Sequence, residues 1–284
     1  MKQVKVAIVG ASGYSGEELL RLLQRHPGVD ITCITSRQYA GQRIGTVFPR
    51  FAESDLTFMA PDATAIAAAA EVAFLALPHG LATEFALPLL AAGVKVVDIS
   101  ADFRLRDPAK YAHYYKAPHP APEMLAKAAY GLPERYRAEI AQADLIACAG
   151  CYPTSIILPT SAILAAGLAS PQGISVVSMS GVSGAGRKVD LPYIFPECNE
   201  SVRPYAVTGH RHLPEIEQEL AAAAGLDDLA ISFVPHLMPV NRGIHSTILL
   251  DAMPGATPGK VEQALQSAYV DEPFVRVLPK GGLA

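Results

Sequence analysis

Val4-Lys5-Val6-Ala7-Ile8-Val9-Gly10-Ala11-Ser12-Gly13-Tyr14-Ser15-Gly16 decides how the rest of the chain is read. Its first six residues are apolar apart from Lys5, a run short enough for a strand buried on both faces. They lead directly into Gly-x-x-Gly-x-x-Gly. Leu19, Leu20, Leu22 and Leu23 then recur at helical spacing as far as His26-Pro27-Gly28, where a helix stops. Val29 to Thr35 reads as a second strand, which completes a βαβ unit. The glycines permit a tight turn and let a pyrophosphate approach the helix N-terminus, where unpaired amides and the helix dipole favour an anion. Gly10, Ser12, Gly13, Tyr14, Ser15 and Gly16 are therefore candidate cofactor-binding residues, with a ligand-free glycine turn as the plainer alternative.

The end of the second strand bears on which dinucleotide binds. NAD sites commonly carry an acid about 20 residues past the glycines, for the ribose hydroxyl. Here the residues are Thr35-Ser36-Arg37, with a hydroxyl and a guanidinium but no carboxylate. A guanidinium forks well onto a phosphate, so Ser36 and Arg37 predict NADP; Arg37 as a solvated loop cation is the alternative. The alternation continues with a helix over Ala63–Ala70 and a strand over Val72–Leu77 that ends in Pro78-His79-Gly80. A helix over Leu81–Ala92 and a strand over Val94–Ile99 follow. This is an α/β pattern, a Rossmann-type doubly wound parallel sheet. Ligands bind past the carboxyl ends of such strands, which makes Pro78 and His79 cofactor candidates and makes Asp102 and Arg104 site candidates. His79 also reads as a helix cap. Arg104 suits an anionic group, or else either residue forms a surface salt bridge.

Residues 107–143 are less regular. Asp107–Lys116 suggests a short helix, the three prolines of Ala117–Pro122 a loop, and Tyr130–Glu134 a turn ahead of another short helix. Leu145–Cys148 is again strand-like, and Ile156–Ala166 is helical. Between them stands Ala149-Gly150-Cys151-Tyr152-Pro153-Thr154, where Pro153 fits a first helical turn. Cys151 thus lies at a helix N-terminus, a position that favours thiolate over thiol and makes a nucleophile. A small buried hydrophobe is the alternative. Cys148 and Cys151 also form C-x-x-C, the spacing of a redox pair or half a zinc site. No second Cys/His pair follows, and Cys148 falls within the strand run, so no metal is expected.

Further on, Ile174–Met179 reads as a strand. The glycine-rich Ser180–Lys188 after it, with Arg187, reads as a loop close to a ligand or as a plain hairpin loop. His210 and His212 precede a helix over Glu215–Ala224 and share one side if their segment is extended. Either suits the base beside a cysteine; metal ligands and incidental loop histidines are the alternatives. Leu229–Met238 and Ile244–Leu250, around Pro239–Gly243, suggest an antiparallel pair. A helix over Pro258–Tyr269 and a strand from Asp271 to Val277 close the pattern. The second part is an α+β domain, which gives domains at 1–150 and 151–284.

The chain has 284 residues, 50% hydrophobic and 18% charged, enough to bury a sizeable core. A formal net charge of -4 gives no electrostatic case for nucleic acid or an anionic membrane. No apolar run reaches the roughly 18 residues that span a bilayer. The opening residues lack the apolar stretch of a signal peptide, and four cysteines show no disulfide framework. A cytoplasmic protein with reduced thiols is expected.

Seven stretches occur in order across the chain: Gly10–Gly16, Ala76–Gly80, Ala101–Leu105, Gly150–Thr154, Ser180–Arg187, Gly209–Ile216 and Asn241–Ile244. Together they closely resemble the N-acetyl-gamma-glutamyl-phosphate reductase family of the aspartate-semialdehyde dehydrogenase superfamily. The resemblance implies NADPH-dependent reduction of an acyl phosphate to an aldehyde on the way to arginine, in a homo-oligomer, dimer or tetramer. It implies Cys151 as nucleophile, His210 as acid/base with His212 the other choice, and Arg104 facing phosphate. Arg187, His212 and Arg242 are implied as substrate-binding, and the second domain as catalytic and dimerising. Related enzymes acting on aspartyl or aminoadipyl phosphate are the alternative. Two departures stand out. Ala149 replaces a frequent Pro, and no Asn-Leu-Val-Lys-Gly-type closing helix follows. The second raises the expectation of a catalytically impaired NADP-binding remnant.

Overall fold

The opening apolar run folds as β1 (Val4–Val9), and its inner residues Val6 to Val9 are buried. The computed structural model describes residues 3–279 and 281–282. The chain divides into two compact units, Met1–Ala112 with Ala117–Ala149, and His113–Lys116 with Gly150–Ala284.

In the first unit β1 is followed by α1 (Tyr14–Leu23), β2 (Val29–Thr35), α2 (Ile44–Val47), β3 (Phe58–Met59) and α3 (Ala63–Ala69). Then come β4 (Val72–Leu75), α4 (Ala82–Ala91), β5 (Lys95–Asp98), α5 (Pro108–Tyr115), β6 (Ala129–Gly131), α6 (Pro133–Gln142) and β7 (Leu145–Cys148). Among the described residues these strands form one parallel sheet in the order β3-β2-β1-β4-β5-β7-β6. The strand order reverses between β1 and β4, where open α/β sheets hold ligands. The turns after these two strands carry the Gly10–Gly16 and Pro78–His79 candidates.

Two glycines of the first turn are required by space. Gly10 has φ +85°, and a Cβ there would stand 2.5 Å from the Ala76 carbonyl oxygen. A Cβ on Gly16 would stand 2.5 Å from the Gly10 carbonyl oxygen and 2.6 Å from Ala11 Cα, so α1 lies hard against its own turn. Gly16→Ala is expected to destabilise the protein by about 3 kcal/mol through overpacking. Urea denaturation measures it, and an unchanged midpoint would refute the close approach.

The second unit contains α7 (Cys151–Ala165), β8 (Ser175–Ser180), α8 (Phe195–Cys198) and β9 (Arg203–Pro204). It continues with α9 (Leu213–Ala224), β10 (Ser232–Leu237), β11 (Ile244–Leu249) and α10 (Pro258–Tyr269). Its mixed sheet has the order β11-β8-β10-β9. Tyr152, Ile156 and Leu164 of α7 and Ile216 and Leu220 of α9 form a core with Val176 and Phe233 on one sheet face. On the other face Val177, Met179 and Val234 are half-buried, and Thr247 and Leu249 are exposed.

Four sequence expectations are corrected. β10 and β11 do not pair; β8 lies between them, parallel to β10 and antiparallel to β11. Ala129–Gly131 is a strand rather than a turn, because Gly131, without a Cβ, sits where one would be 2.7 Å from Cys148 Cα. Asp271–Val277 forms no strand: amide bonds from Glu272 to Tyr269 and from Val275 to Glu272 turn the chain around Pro273. His210 and His212 stand in a turn, not an extended segment, because the chain bends there to enter α9.

Candidate active site

Gly150 is the N-cap of α7, so Cys151 is the first helical residue. The first-turn amides have no acceptor within the helix, which leaves a positive end beside the thiol. Cys151 is exposed, whereas Cys33 and Cys198 are buried. The Gly150 N–H donates to Glu215 Oε1 at 2.8 Å. Glu215, buried in the first turn of α9, thereby ties the starts of two helices together.

His210 lies beside this turn. Its ring stands 5.4 Å from that of Tyr152, 5.6 Å from Tyr205, 5.5 Å from Phe233 and 4.9 Å from His212. Burial, then His212 and Arg211, push its pKa down to about 3. The ring is therefore neutral at working pH. Nδ1 accepts the His212 N–H at 3.0 Å, which leaves the ring proton on Nε2. The Tyr205 hydroxyl donates to the Tyr152 hydroxyl at 2.9 Å, and Tyr152 donates to the His236 carbonyl at 3.3 Å. Burial raises both phenols above their ordinary range.

The loops that bear Arg187 and Arg242 are stitched together at the end of β8. Gly181 N–H donates to Gly243 O at 3.0 Å, Val182 to Val240 O at 2.9 Å and Ser183 to Asn241 O at 3.0 Å. A Cβ on Gly181 would meet Arg242 N at 2.8 Å, so the glycine permits this contact. Both arginines are exposed.

The remaining candidates belong to the first unit. Gly13 is the N-cap of α1, with Tyr14 and Ser15 exposed in its first turn. A Cβ on Gly13 would meet only Gly10 O, at 3.7 Å, so the turn is open to a ligand. Ser12 Oγ and Ser36 Oγ are 3.0 Å apart, and Ser36 Oγ accepts the Tyr39 N–H at 3.2 Å. Arg37 Nη2 lies 3.6 Å from Glu84 Oε2, with both side chains exposed. Pro78 and His79 are exposed in the turn after β4. An open amide end, paired hydroxyls and a nearby guanidinium fit a phosphorylated dinucleotide.

Arg104 is buried. Its Nε donates to Cys148 O at 2.7 Å and its Nη2 to Ile99 O at 2.9 Å, clasping the ends of β7 and β5. Asp102 is no surface ion-pair partner. Buried, it accepts the Gly80 N–H at 2.6 Å and the Ala82 N–H at 3.0 Å, which fixes the start of α4. Burial raises Asp98 to about 7. Burial, and secondarily Asp98, push the Cys148 thiol to about 11, so it stays protonated and unreactive. Among the described residues no group of three His, Cys, Asp or Glu side chains is placed to hold a metal.

Sequence reading passed over Glu215, Tyr152 and Tyr205. The only signal for Glu215 was an acid in the first turn of a helix that opens Leu-Pro, which ordinarily marks a solvated end.

The family model "Semialdehyde dehydrogenase, NAD binding domain" matches residues 5–143, and "Semialdehyde dehydrogenase, dimerisation domain" matches residues 151–284. An N-acetyl-gamma-glutamyl-phosphate reductase of Akkermansia muciniphila is 55% identical over 282 residues, 98% of this chain and 81% of that protein. N-acetyl-gamma-glutamyl-phosphate reductase 1 of Pseudomonas putida is 48% identical over 280 residues, 98% of this chain and 80% of its own length. Among solved structures, aspartate semialdehyde dehydrogenase II of Vibrio cholerae in complex with ASA superposes with a TM-score of 0.69 at 17% identity, covering 94% of this chain and 80% of that one. The Candida albicans aspartate semialdehyde dehydrogenase with NADP gives 0.68 at 16%, covering 93% and 76%. At these identities the two structures support the fold alone.

Proposed function

The chain belongs to the N-acetyl-gamma-glutamyl-phosphate reductase family, and from that premise we propose that it reduces N-acetyl-γ-glutamyl phosphate to the semialdehyde with NADPH, releasing phosphate, in arginine biosynthesis. The observation that carries the reading is an exposed thiol on the first residue of a helix whose next residue, Tyr152, has its ring 5.4 Å from that of a neutral histidine, His210.

In this reading Cys151 attacks the acyl carbon as thiolate. The C–S bond forms, the bond from carbon to the phosphate oxygen breaks, and the net proton of the reaction ends on the departing phosphate. Bound NADPH supplies the hydride that brings the thioester to the aldehyde level. Cys151 then leaves as thiolate, a good leaving group, so that collapse requires no added proton. In place of the acid/base role that the resemblance implied, His210, neutral and with Nδ1 taken by the His212 N–H, donates a hydrogen bond from Nε2 to the acyl oxygen as negative charge develops there, together with the first-turn amides of α7. His212 contributes its backbone N–H, which holds the His210 tautomer. Arg187 and Arg242 take the anionic groups of the substrate, and Arg104, oriented by two carbonyls, faces phosphate.

Gly10, Gly13, Tyr14, Ser15 and Gly16 cradle the pyrophosphate, while Ser12, Ser36 and Arg37 take the 2′-phosphate, with Pro78 and His79 alongside the cofactor. Arg37→Ala is expected to weaken NADP binding by about 10- to 100-fold and leave NAD binding unchanged. Fluorescence titration with each dinucleotide checks this; equal losses for both would refute the 2′-phosphate role. We place nucleotide binding in residues 1–150 and chemistry in residues 151–284. The working oligomer is a homodimer built on the sheet face that exposes Thr247 and Leu249. No helix among the described residues is long and apolar enough to cross a membrane. We place the enzyme in the cytoplasm on a separate ground, its cysteines without a disulfide framework.

The test is NADPH oxidation on addition of the acyl phosphate, with the reverse reaction from aldehyde, phosphate and NADP. Absence of turnover in both directions would reject the function.

A further inference from the structure

Behind the first turn of α7 a line of hydroxyls runs from the sheet to the helix. Ser178 on β8 and Ser246 on β11 are paired in register, with their Oγ atoms 2.7 Å apart. Ser246 Oγ is also 2.8 Å from Ser155 Oγ on α7. Ser155 in turn donates to the Tyr152 carbonyl at 2.9 Å. Each serine has a single hydroxyl proton. In each serine pair either oxygen can donate, and Ser155 also reaches the Tyr152 carbonyl, so the three hydroxyls form one continuous line. The line joins the sheet to the residue that follows Cys151.

Its apolar neighbours show what the line adds. Ile156 and Leu164 meet Val176 and Phe233 through apolar contact, which resists separation but is not directional. Hydrogen bonds are directional, and these three hydroxyls engage the helix within one turn of the thiol. Ser178 is wholly buried, so solvent does not compete for its hydroxyl in this structure.

We propose that Ser246 is a positioning residue for the nucleophile: its bond to Ser155 sets the rotation of the first turn of α7, and hence the direction of the Cys151 sulfur and the adjoining amides. The proposal rests on Cys151 being the nucleophile. Ser246 touches no reacting atom; it acts through Ser155 and the Tyr152 carbonyl.

The experiment compares Ser246→Ala, Ser178→Ala and Ser246→Thr by steady-state kinetics, by the rate at which iodoacetamide alkylates Cys151, and by thermal unfolding. Ser246→Ala severs the line at its middle. It is expected to lower kcat about tenfold with KM nearly unchanged, and to slow alkylation by a similar factor. Ser178→Ala leaves the Ser246–Ser155 bond in place, so Tm falls while kcat stays within about twofold. Ser246→Thr keeps the hydroxyl and restores most of the rate. Should Ser246→Ala fail to fold, Ser155→Ala cuts the line at the helix and is read the same way. A fall in Tm alone, with kcat and alkylation unchanged in Ser246→Ala, would overturn the proposal, as would equal kcat losses in the two alanine variants. Cys151→Ser separates the two levels: if it retained turnover, the nucleophile assignment fails, whereas an inactive Cys151→Ser beside a normal Ser246→Ala defeats only the role of Ser246.

Discussion

Cys151→Ser is expected to lower kcat on the order of 10^4-fold while leaving NADP affinity and fold intact. A serine at the same place has no comparable anionic form at neutral pH, and an oxygen ester would be a poorer hydride acceptor than a thioester. The helix start that favours the thiolate remains, so the loss reports the sulfur itself. Cys148→Ser is the matched control. Its thiol, half-buried at the end of β7, is pushed up to about 11, and turnover is expected to survive its loss. Progress curves for the reverse reaction, with aldehyde, phosphate and NADP, make both measurements. If Cys148→Ser abolished turnover and Cys151→Ser did not, the redox reading of the C-x-x-C pair would replace the present one.

His210→Asn is expected to lower kcat by about 10^2- to 10^3-fold with a small change in KM, since a neutral donor aimed at developing charge acts mainly in the transition state. The same ring makes a separate prediction about stability. Its pKa in the folded protein, about 3, lies below its ordinary 6.5. Above 6.5 the ring is neutral whether the chain is folded or unfolded, and it adds no pH dependence. As pH falls from 6.5 toward 3, the unfolded chain binds a proton that the folded chain refuses, so stability declines across that window. His210→Phe removes the titrating group and keeps an aromatic ring among Tyr152, Tyr205 and Phe233. It is expected to flatten the decline, seen as urea midpoints compared near neutrality and at about pH 4. An unchanged slope would mean that the ring is not held neutral by its surroundings.

Much of the first unit was legible because a parallel sheet covered on both faces writes itself as short apolar runs, and β1, β2 and β4 are such runs. Gly10 and Gly16 were legible for a similar reason, since local geometry there excludes any side chain. The second unit was harder. That β8 separates β10 from β11 depends on packing across more than fifty residues, and no local pattern in Leu229–Leu250 encodes it. β6 was missed because three residues carry no periodicity; its pairing with the sequence-distant β7, in which Gly131 comes against Cys148, makes it a strand. In the site, Cys151 announced itself through Gly150 and Pro153. Glu215 and Ser246 did not, because acids at helix starts and serines in strands are common, and their importance arises from what they meet in three dimensions. Arg104 was marked by its loop, but its two bonds to backbone carbonyls were not predictable from sequence.

The most direct measurement is the intact mass of the protein after incubation with N-acetyl-γ-glutamyl phosphate without NADPH. The account predicts a gain equal to the acyl group without its phosphate, carried on the peptide containing Cys151 and discharged when NADPH is added. Turnover by a protein that never acquires this mass, or that acquires it on another residue, would contradict the account.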